Sequence, residues 1–410
     1  KWGSLNDNNC PVLGGLKQVG VEYVLGKVFN DIGFHHIAAP LFKDLVLYRL
    51  VYPKSKLKTR EYLFRYEQKS YREDEIYRYM DKLHAADKHL VQQISYQHTL
   101  KVLQGQIQAV FYDVTTLYFE IEREDDLRRT GFSKEGKHQH PQIVLGLLVS
   151  KHAYPLAYDI FEGNKYEGDT FLPILERFKR QYAFKKLTVV ADAGLLSTRN
   201  VQQLMEQGYE FILGARIKNE KQVIKDQILK LRLAHGKSQI INKEGLKLII
   251  NYSEDRAKKD RYNRERGLQR LEKRLRSKKL TKTSINNKGY NKFLKMSGEV
   301  TLSIDHEKIQ QDEKWDGLKG FLTNSTLKKE EILENYHHLW QIEKAFRVAK
   351  TELKIRPVFH YKRKRIEAHI CLNFAAYKVY KELERQLKQK KAPLSAEKVI
   401  EVIQNIYEIS

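Results

Sequence analysis

The spacing of apolar residues changes character near position 107, and that change divides the chain. Before it the spacing is helical, with apolar positions every three or four residues in VEYVLGKVFNDIGF (21–34) and PLFKDLVLYRLVY (40–52). A further helix is predicted over SYREDEIYRYMDKLHAADKHLVQQI (70–94), with Ser70 as its cap and Glu73 placed to complete a capping box. Beyond 107 the chain reads as strands. QAVFYDVTTLYF (108–119) is rich in β-branched and aromatic residues, QIVLGLLVS (142–150) is nearly all apolar, and YPLAYDIFEGN (154–164) alternates and ends in a Gly-Asn turn. A helix over 169–182, a buried strand KLTVVADAG (186–194), a helix over 198–207 stopped by Gly208, and a strand YEFILGARI (209–217) complete the run. Strand, strand, strand, helix, strand, helix, strand is α/β order with an antiparallel beginning.

Residues 218–323 interrupt this order. Alternating strands over 238–252 precede a basic helical stretch, RAKKDRYNRERGLQRLEKRLRSKKL (256–280), and short strands follow near 298–304 and 319–323. A long helix is predicted over 329–353, with one or two more to the end. The predicted organisation is an N-terminal helical region (1–105), the first part of a core (106–217), a β-rich insertion with a basic helix (218–323), the second part of the core (324–380) and a helical tail (381–410).

Charge narrows the class of partner. The chain has 410 residues, 75 of them basic and 51 acidic, for a formal net charge of +24, which favours a polyanion such as nucleic acid or an anionic membrane surface. No apolar run reaches the roughly 18 residues of a membrane span. The two cysteines, Cys10 and Cys371, lie far apart without metal-ligand spacing, which fits a reducing compartment. Residues 1–9 do not read like a native start, and the expectation is that a preceding segment exists.

Three acids stand out by position. Asp113 lies inside the first core strand, Asp192 ends an apolar strand, and Glu343 sits in YHHLWQIEKAFRVAK (336–350) on the long predicted helix. Strand ends in open α/β sheets commonly form sites. Carboxylates from two strands and a helix can converge on a pair of divalent ions, and hard oxygen ligands suit magnesium. An Asp before Ala-Gly is equally an ordinary turn former, and a helical Glu an ordinary surface residue. Asp113 is harder to set aside, because an unpaired charge in an apolar strand is costly. Spacing alone leaves both readings open.

The stretches FYDVTTLYFE (111–120), GFSKEGKHQHPQIVLGLLVS (131–150), YPLAYDIFEGN (154–164), VVADAGLLS (189–197) and YHHLWQIEKAFRVAK (336–350) resemble the DDE transposases of bacterial insertion sequences, within the IS-four superfamily. The resemblance runs from about 37 to 380. It implies an RNase H-like core, a mixed sheet flanked by helices, with a β-rich insertion before the helix that carries the glutamate. It implies Asp113, Asp192 and Glu343 as the catalytic, metal-holding triad, with two Mg2+ ions for which Mn2+ can substitute. The superfamily's Tyr-x2-Arg-x3-Glu-x6-Lys signature is met at Tyr336, Glu343 and Lys350, while Leu339 replaces the arginine. Arg347, eleven residues beyond Tyr336 and close to three helical turns away, is a candidate to supply the missing phosphate contact.

Around this site Tyr336, Lys344, Arg347 and Lys350 are the expected DNA contacts. Trp315, in DEKWDGLKGFLTN (312–324), stands near where some relatives place a Trp that fills the gap left by a flipped base, although packing at a domain boundary explains a Trp there equally well. The basic stretch 256–280 is either a solvated face or a phosphate track. His138 and His140 read as a polar loop and are not assigned as ligands, and His337 and His338 as surface or DNA-proximal. The implied function is cut-and-paste transposition by phosphodiester hydrolysis and strand transfer. The implied partners are double-stranded DNA at transposon ends and target, and a second copy of the chain in the synaptic complex. The setting is a bacterial cytoplasm and nucleoid, and the helical region 1–105 would assist in end binding. The rivals are a catalytically inactive DNA-binding remnant and an RNase H-like nuclease. The charge makes one prediction independent of the chemistry. Affinity for duplex DNA should fall by roughly a thousandfold or more between ~50 and ~200 mM salt, measured by fluorescence anisotropy; a flat dependence points to an apolar or small-molecule partner.

Overall fold

The computed structural model of the chain describes residues 16–409 apart from 84–85, 134–135, 183–186, 196, 278–279, 281–283, 287–288 and 298–300. The N-terminal stretch 1–15, Cys10 included, lies outside the described residues; Cys371 is buried and unpaired. The fold divides into two units, Lys1–Asn200 with Glu334–Ser410, and Val201–Leu333.

The first unit opens with a short strand, β1 (Leu16–Gln18), and five helices: α1 (Lys27–Ile32), α2 (Pro40–Val51), α3 (Lys56–Glu67), α4 (Glu73–Leu83) and α5 (Ala86–Val102). Pro40 starts α2 at a position where its missing N–H costs nothing. Ser55 caps α3 by accepting from the Lys58 N–H. Among the described residues, the stretch expected to be helical over 70–94 holds α4 and α5. Ser70 lies outside the first, and the contact at that end is the Arg72 backbone N–H donating to Glu75 Oε2 at 3.4 Å.

Four strands follow in this unit: β2 (Ala109–Tyr118), β3 (Gln142–Ser150), β4 (Pro155–Glu162) and, after helix α6 (Phe171–Tyr182), β5 (Thr188–Ala191). Their order is β4-β3-β2-β5. β2, β3 and β4 pair antiparallel, while β5 lies parallel to β2, with Tyr112 opposite Ala191. Every residue of β3 is buried, which explains its continuous apolar run. Tyr112 turns its ring to Phe171 and its hydroxyl to Thr170 Oγ1 at 2.7 Å, so α6 covers the Tyr112 face of β2. The turn after β4 is tight: a Cβ on Gly163 would sit 2.0 Å from the Gln142 carbonyl oxygen and 2.2 Å from that of Arg129.

The chain then runs through α7 (Thr198–Glu206) into the second unit. It holds β6 (Glu210–Ala215), α8 (Gln222–Lys230), β7 (Ser238–Lys243), β8 (Leu246–Tyr252), α9 (Glu254–Arg276), β9 (Leu294–Ser297), β10 (Thr301–Ile304), α10 (His306–Glu313) and β11 (Leu318–Thr323). Strand order here is β6-β11-β8-β7, antiparallel at β6–β11, β11–β8 and β8–β7, and β9 and β10 form a separate antiparallel pair. The insertion thus contains its strands and the basic helix α9, together with two further helices, α8 and α10, that polar composition had concealed. β6, expected within the first part of the core, groups with the insertion.

The return to the first unit passes through α11 (Lys329–His337), α12 (Trp340–Thr351), α13 (Arg363–Gln389), α14 (Ala396–Ile403) and β12 (Tyr407–Ile409). The single helix expected over 329–353 is therefore broken at His338–Leu339, and the boundary expected at 380 falls inside α13. Residues 368–383 of α13 are all buried, as befits a helix packed on α1, α2, α4, α5, α12, α14 and β4. β12 pairs antiparallel with β1, a contact between chain ends that no periodicity announced. No helix among the described residues is long and apolar enough to cross a membrane. Because the oxygens facing Gly163 are backbone atoms, Gly163→Ala should destabilise the chain by about 1–3 kcal/mol, read as a lower urea midpoint; an unchanged midpoint would show that the turn can relax.

Candidate active site

Two of the three selected acids stand side by side, Asp113 within β2 and Asp192 just past the end of β5. The parallel register sets Tyr112 beside Ala191, so the next residues along the two strands are Asp113 and Asp192. Each carboxylate is held locally: Asp113 Oδ1 accepts the Val114 N–H at 2.8 Å, and Asp192 Oδ1 accepts the Ala193 N–H at 2.7 Å. Asp113 is half-buried and Asp192 exposed. Burial first, then the negative field of Asp113, Asp159 and Glu167, pushes the neighbouring Tyr112 hydroxyl above its usual range.

The signature segment reaches the same place. Buried Tyr336, in the last turns of α11, donates its hydroxyl to Asp192 Oδ1 at 3.3 Å. Phe111, two residues before Asp113 and on its face of β2, meets the His338 ring edge-on with centroids 6.5 Å apart. The junction of α11 and α12 therefore covers the Asp113 face, opposite the face taken by α6. α12 packs on β2 and β3 and carries Glu343, exposed, its carboxylate without a hydrogen-bond or ion-pair partner among the described residues.

The donors are hard carboxylate oxygens, the chemistry that suits a divalent cation. Among the described residues, however, no three His, Cys, Asp or Glu side chains are gathered closely enough to hold a metal ion. Asp113 and Asp192 are brought together by the strands and Tyr336 by its hydrogen bond. Glu343 belongs to the helix that covers them but does not close a three-ligand cluster.

The expected DNA contacts divide. Arg347 is exposed one turn beyond Glu343, and its guanidinium has no partner among the described residues. Since α11 and α12 are separate helices, the continuous-helix argument relating Arg347 to Tyr336 does not hold; Arg347 is placed by α12 alone. Lys344 is turned to α13, where it pairs with Glu384, which also takes Lys381. Burial alone would raise the Glu384 carboxyl, but these two lysines hold it below the usual range. Lys350 is half-buried near the end of α12, and Leu339, at the signature arginine position, is buried just before that helix. Trp315 is half-buried in the second unit, on a cleft of about 380 Å³ that Arg256 and Lys292 also line. Its neighbour Asp316 takes both guanidinium nitrogens of Arg264 at 2.6 and 2.7 Å, so this cation of α9 is structural. His138 accepts the Ser133 N–H at 3.4 Å, and His140 lies against the Tyr118 ring, as loop residues do.

Sequence reasoning missed three features. Glu167 lies beside the Asp192 turn, where a Cβ on Gly194 would stand 3.4 Å from its Oε2; no pattern in NKYEGDTF marks it. Trp340, 44% exposed, borders a cleft of about 460 Å³ with Lys344, Lys381, Arg385 and Lys388. The cations of α13 recur at helical spacing, a signal that their apolar neighbours masked.

The profile of the family described as "Transposase DDE domain" matches residues 104–378. No curated protein matches. Among solved structures the chain is similar to a piggyBac transposase in its synaptic complex with hairpin DNA, at 8% identity and a TM-score of 0.43, over 94% of this chain and 76% of that one. The profile begins just before β2 and ends within α13, spanning Asp113, Asp192, Tyr336 and Glu343, and the chain belongs to the transposase DDE domain family.

Proposed function

We propose that this chain is the catalytic part of a DNA transposase that cuts the ends of an insertion sequence and joins them to target DNA, with Asp113, Asp192 and Glu343 as its catalytic carboxylates. The observation that carries this is the Tyr336 hydrogen bond to Asp192, which ties the signature segment to the aspartate at the end of β5, beside Asp113 of β2. Asp113 and Asp192 offer oxygen ligands from rigid strands, and the N–H groups of Val114 and Ala193 fix their orientation. Tyr336 keeps one Asp192 oxygen turned toward the α11–α12 junction. Glu343, on the covering helix, supplies the third carboxylate when DNA is seated.

Asp113, Asp192 and Glu343 would hold Mg2+, or Mn2+ in its place, and such ions would supply charge to polarise the scissile phosphate and stabilise the attacking and leaving oxygens. In the first step water attacks phosphorus, the P–O3′ bond breaks, and a free 3′-hydroxyl and a 5′-phosphate result. In the second, that 3′-hydroxyl attacks a target phosphodiester and displaces its 3′-oxygen. Arg347 and Lys350 neutralise phosphates flanking the cut, and a second copy of the chain holds the other end in the synapse. The solvated cations of α9 track the duplex. Trp315, fixed by the Arg264–Asp316 pair, stacks where a base leaves the helix.

The test is cleavage of a labelled transposon end with Mg2+ or Mn2+. Asp113→Asn, Asp192→Asn and Glu343→Gln should each abolish cutting while sparing most DNA binding, and Tyr336→Phe, which removes only an outer hydrogen bond, should cost roughly 10–100-fold. Any of the three carboxylate variants that still cuts refutes the assignment, and a wild-type chain that binds ends but cuts with neither metal is a DNA-binding remnant. Trp315→Ala should impair hairpin formation or resolution more than first-strand nicking on the same gels; a parallel fall of all three products, or no change, reduces Trp315 to a packing residue.

A further inference from the structure

Four basic side chains from four places in the first unit meet in its interior. Arg49 lies in the last turn of α2, Lys56 is the first residue of α3, His360 lies in the segment joining α12 to α13, and His369 lies in the buried stretch of α13. Arg49 and Lys56 are only 5% and 3% exposed, yet neither has a hydrogen-bond or ion-pair partner among the described residues. Acids on the same two helices are engaged elsewhere: Asp44 of α2 and Glu67 of α3 both bind Lys69, and Asp44 also accepts from Tyr71. Arg49 and Lys56 act on each other and on both histidines, whose rings lie 5.5 Å apart, so the positive charges reinforce one another.

Burying an unpaired charge costs several kcal/mol after relaxation, and burying two side by side costs more. Lys56 is also at the N-terminus of α3, where the helix dipole adds positive potential. His369 Nε2 donates to the Ile355 carbonyl at 3.0 Å, which leaves Nδ1 buried without a partner. Burial, then the charges of Arg49 and Lys56, hold the His369 imidazole well below its usual range, so Nδ1 stays an acceptor. The chain thus presents two cationic donors, an open imidazole nitrogen and a helix N-terminus to a region where no described acid pairs with the cations. Access is from the surface: the half-buried His360 is flanked by Phe359 and Tyr361, 74% and 64% exposed.

We infer that Arg49, Lys56, His360 and His369 form a phosphate-binding site, separate from the carboxylates of β2 and β5. Its ligand is a tetrahedral phosphate oxyanion, either free inorganic phosphate or a phosphodiester of bound DNA. The inference does not depend on the transposase chemistry. A phosphate here offsets the buried positive charge and draws α2, α3 and α13 together.

Thermal unfolding of the full chain with increasing inorganic phosphate, against chloride at matched ionic strength, tests it. The wild type should gain about 2–4 °C at saturating phosphate beyond the chloride control. Arg49→Met and Lys56→Met should lose that gain and, without phosphate, melt no lower than wild type, because each removes an unpaired charge. Equal shifts in phosphate and chloride overturn the proposal, as does an undiminished gain in both variants. Failure of both variants to fold also overturns it, since the cations would then be compensated within the protein. Duplex binding identifies the source of the phosphate. With a backbone phosphodiester, Lys56→Met binds DNA more weakly and its log–log salt slope falls by about one; with free phosphate, DNA binding is unchanged while the thermal gain is still lost.

Discussion

The structure depends on the parallel pairing of β2 with β5. Two parallel strands cannot be joined by a hairpin, so β5 reaches β2 only after β3, β4 and α6 have been laid down between them in sequence. Both strands then run in the same direction, and where β5 ends at Ala191 and β2 continues toward Tyr118, the residues that follow their last shared pair are Asp113 and Asp192. Alternation assigns Tyr112 to α6 and Phe111 with Asp113 to the α11–α12 junction. A slip of one residue in β2 would exchange these faces and bury the carboxylate against α6. The apolar neighbours on both sides hold the register that places the acids.

Much of this was legible in the chain because the strands are short and of strong β character. FYDVTTLYFE and the all-apolar QIVLGLLVS admit one reading, and Gly208, with φ of 72°, ends α7 where a Gly was expected to stop a helix. The break between α11 and α12 was not legible: Leu339 retains helical φ and ψ, so no Pro or Gly marks the interruption. The β1–β12 pair involves three residues on each strand, too few for a period. At the site, Asp113, Asp192 and Tyr336 could be selected in advance, whereas Glu167 and the Lys344–Glu384 pair depend on which loops and helices meet, and chain order does not encode that locally.

Charge is distributed against the average. Basic residues outnumber acidic ones, 75 to 51, and many acids are used on internal cations, as Asp316 is on Arg264 and Glu384 on Lys344 and Lys381. Among the described residues, Glu343 is an exposed carboxylate with no cation, and Arg49 and Lys56 are buried cations with no acid. Under the proposed function and the inferred phosphate site, these are the places where neutralisation comes from outside the chain.

The central position of α13 also governs when the first unit can be completed. Its core partners α1, α2, α4 and α5 are made within the first quarter of the chain, but α13 itself spans Arg363–Gln389. During synthesis those early helices leave the ribosome with the apolar faces that α13 covers still open until more than two hundred further residues are translated. The second unit, Val201–Leu333, is continuous and can fold in the interval. Contacts between such distant segments are entropically slow to close, and exposed helices waiting for them are open to chaperones and to aggregation. The insertion, complete in the chain by Leu333, can thus be finished before the unit that contains it.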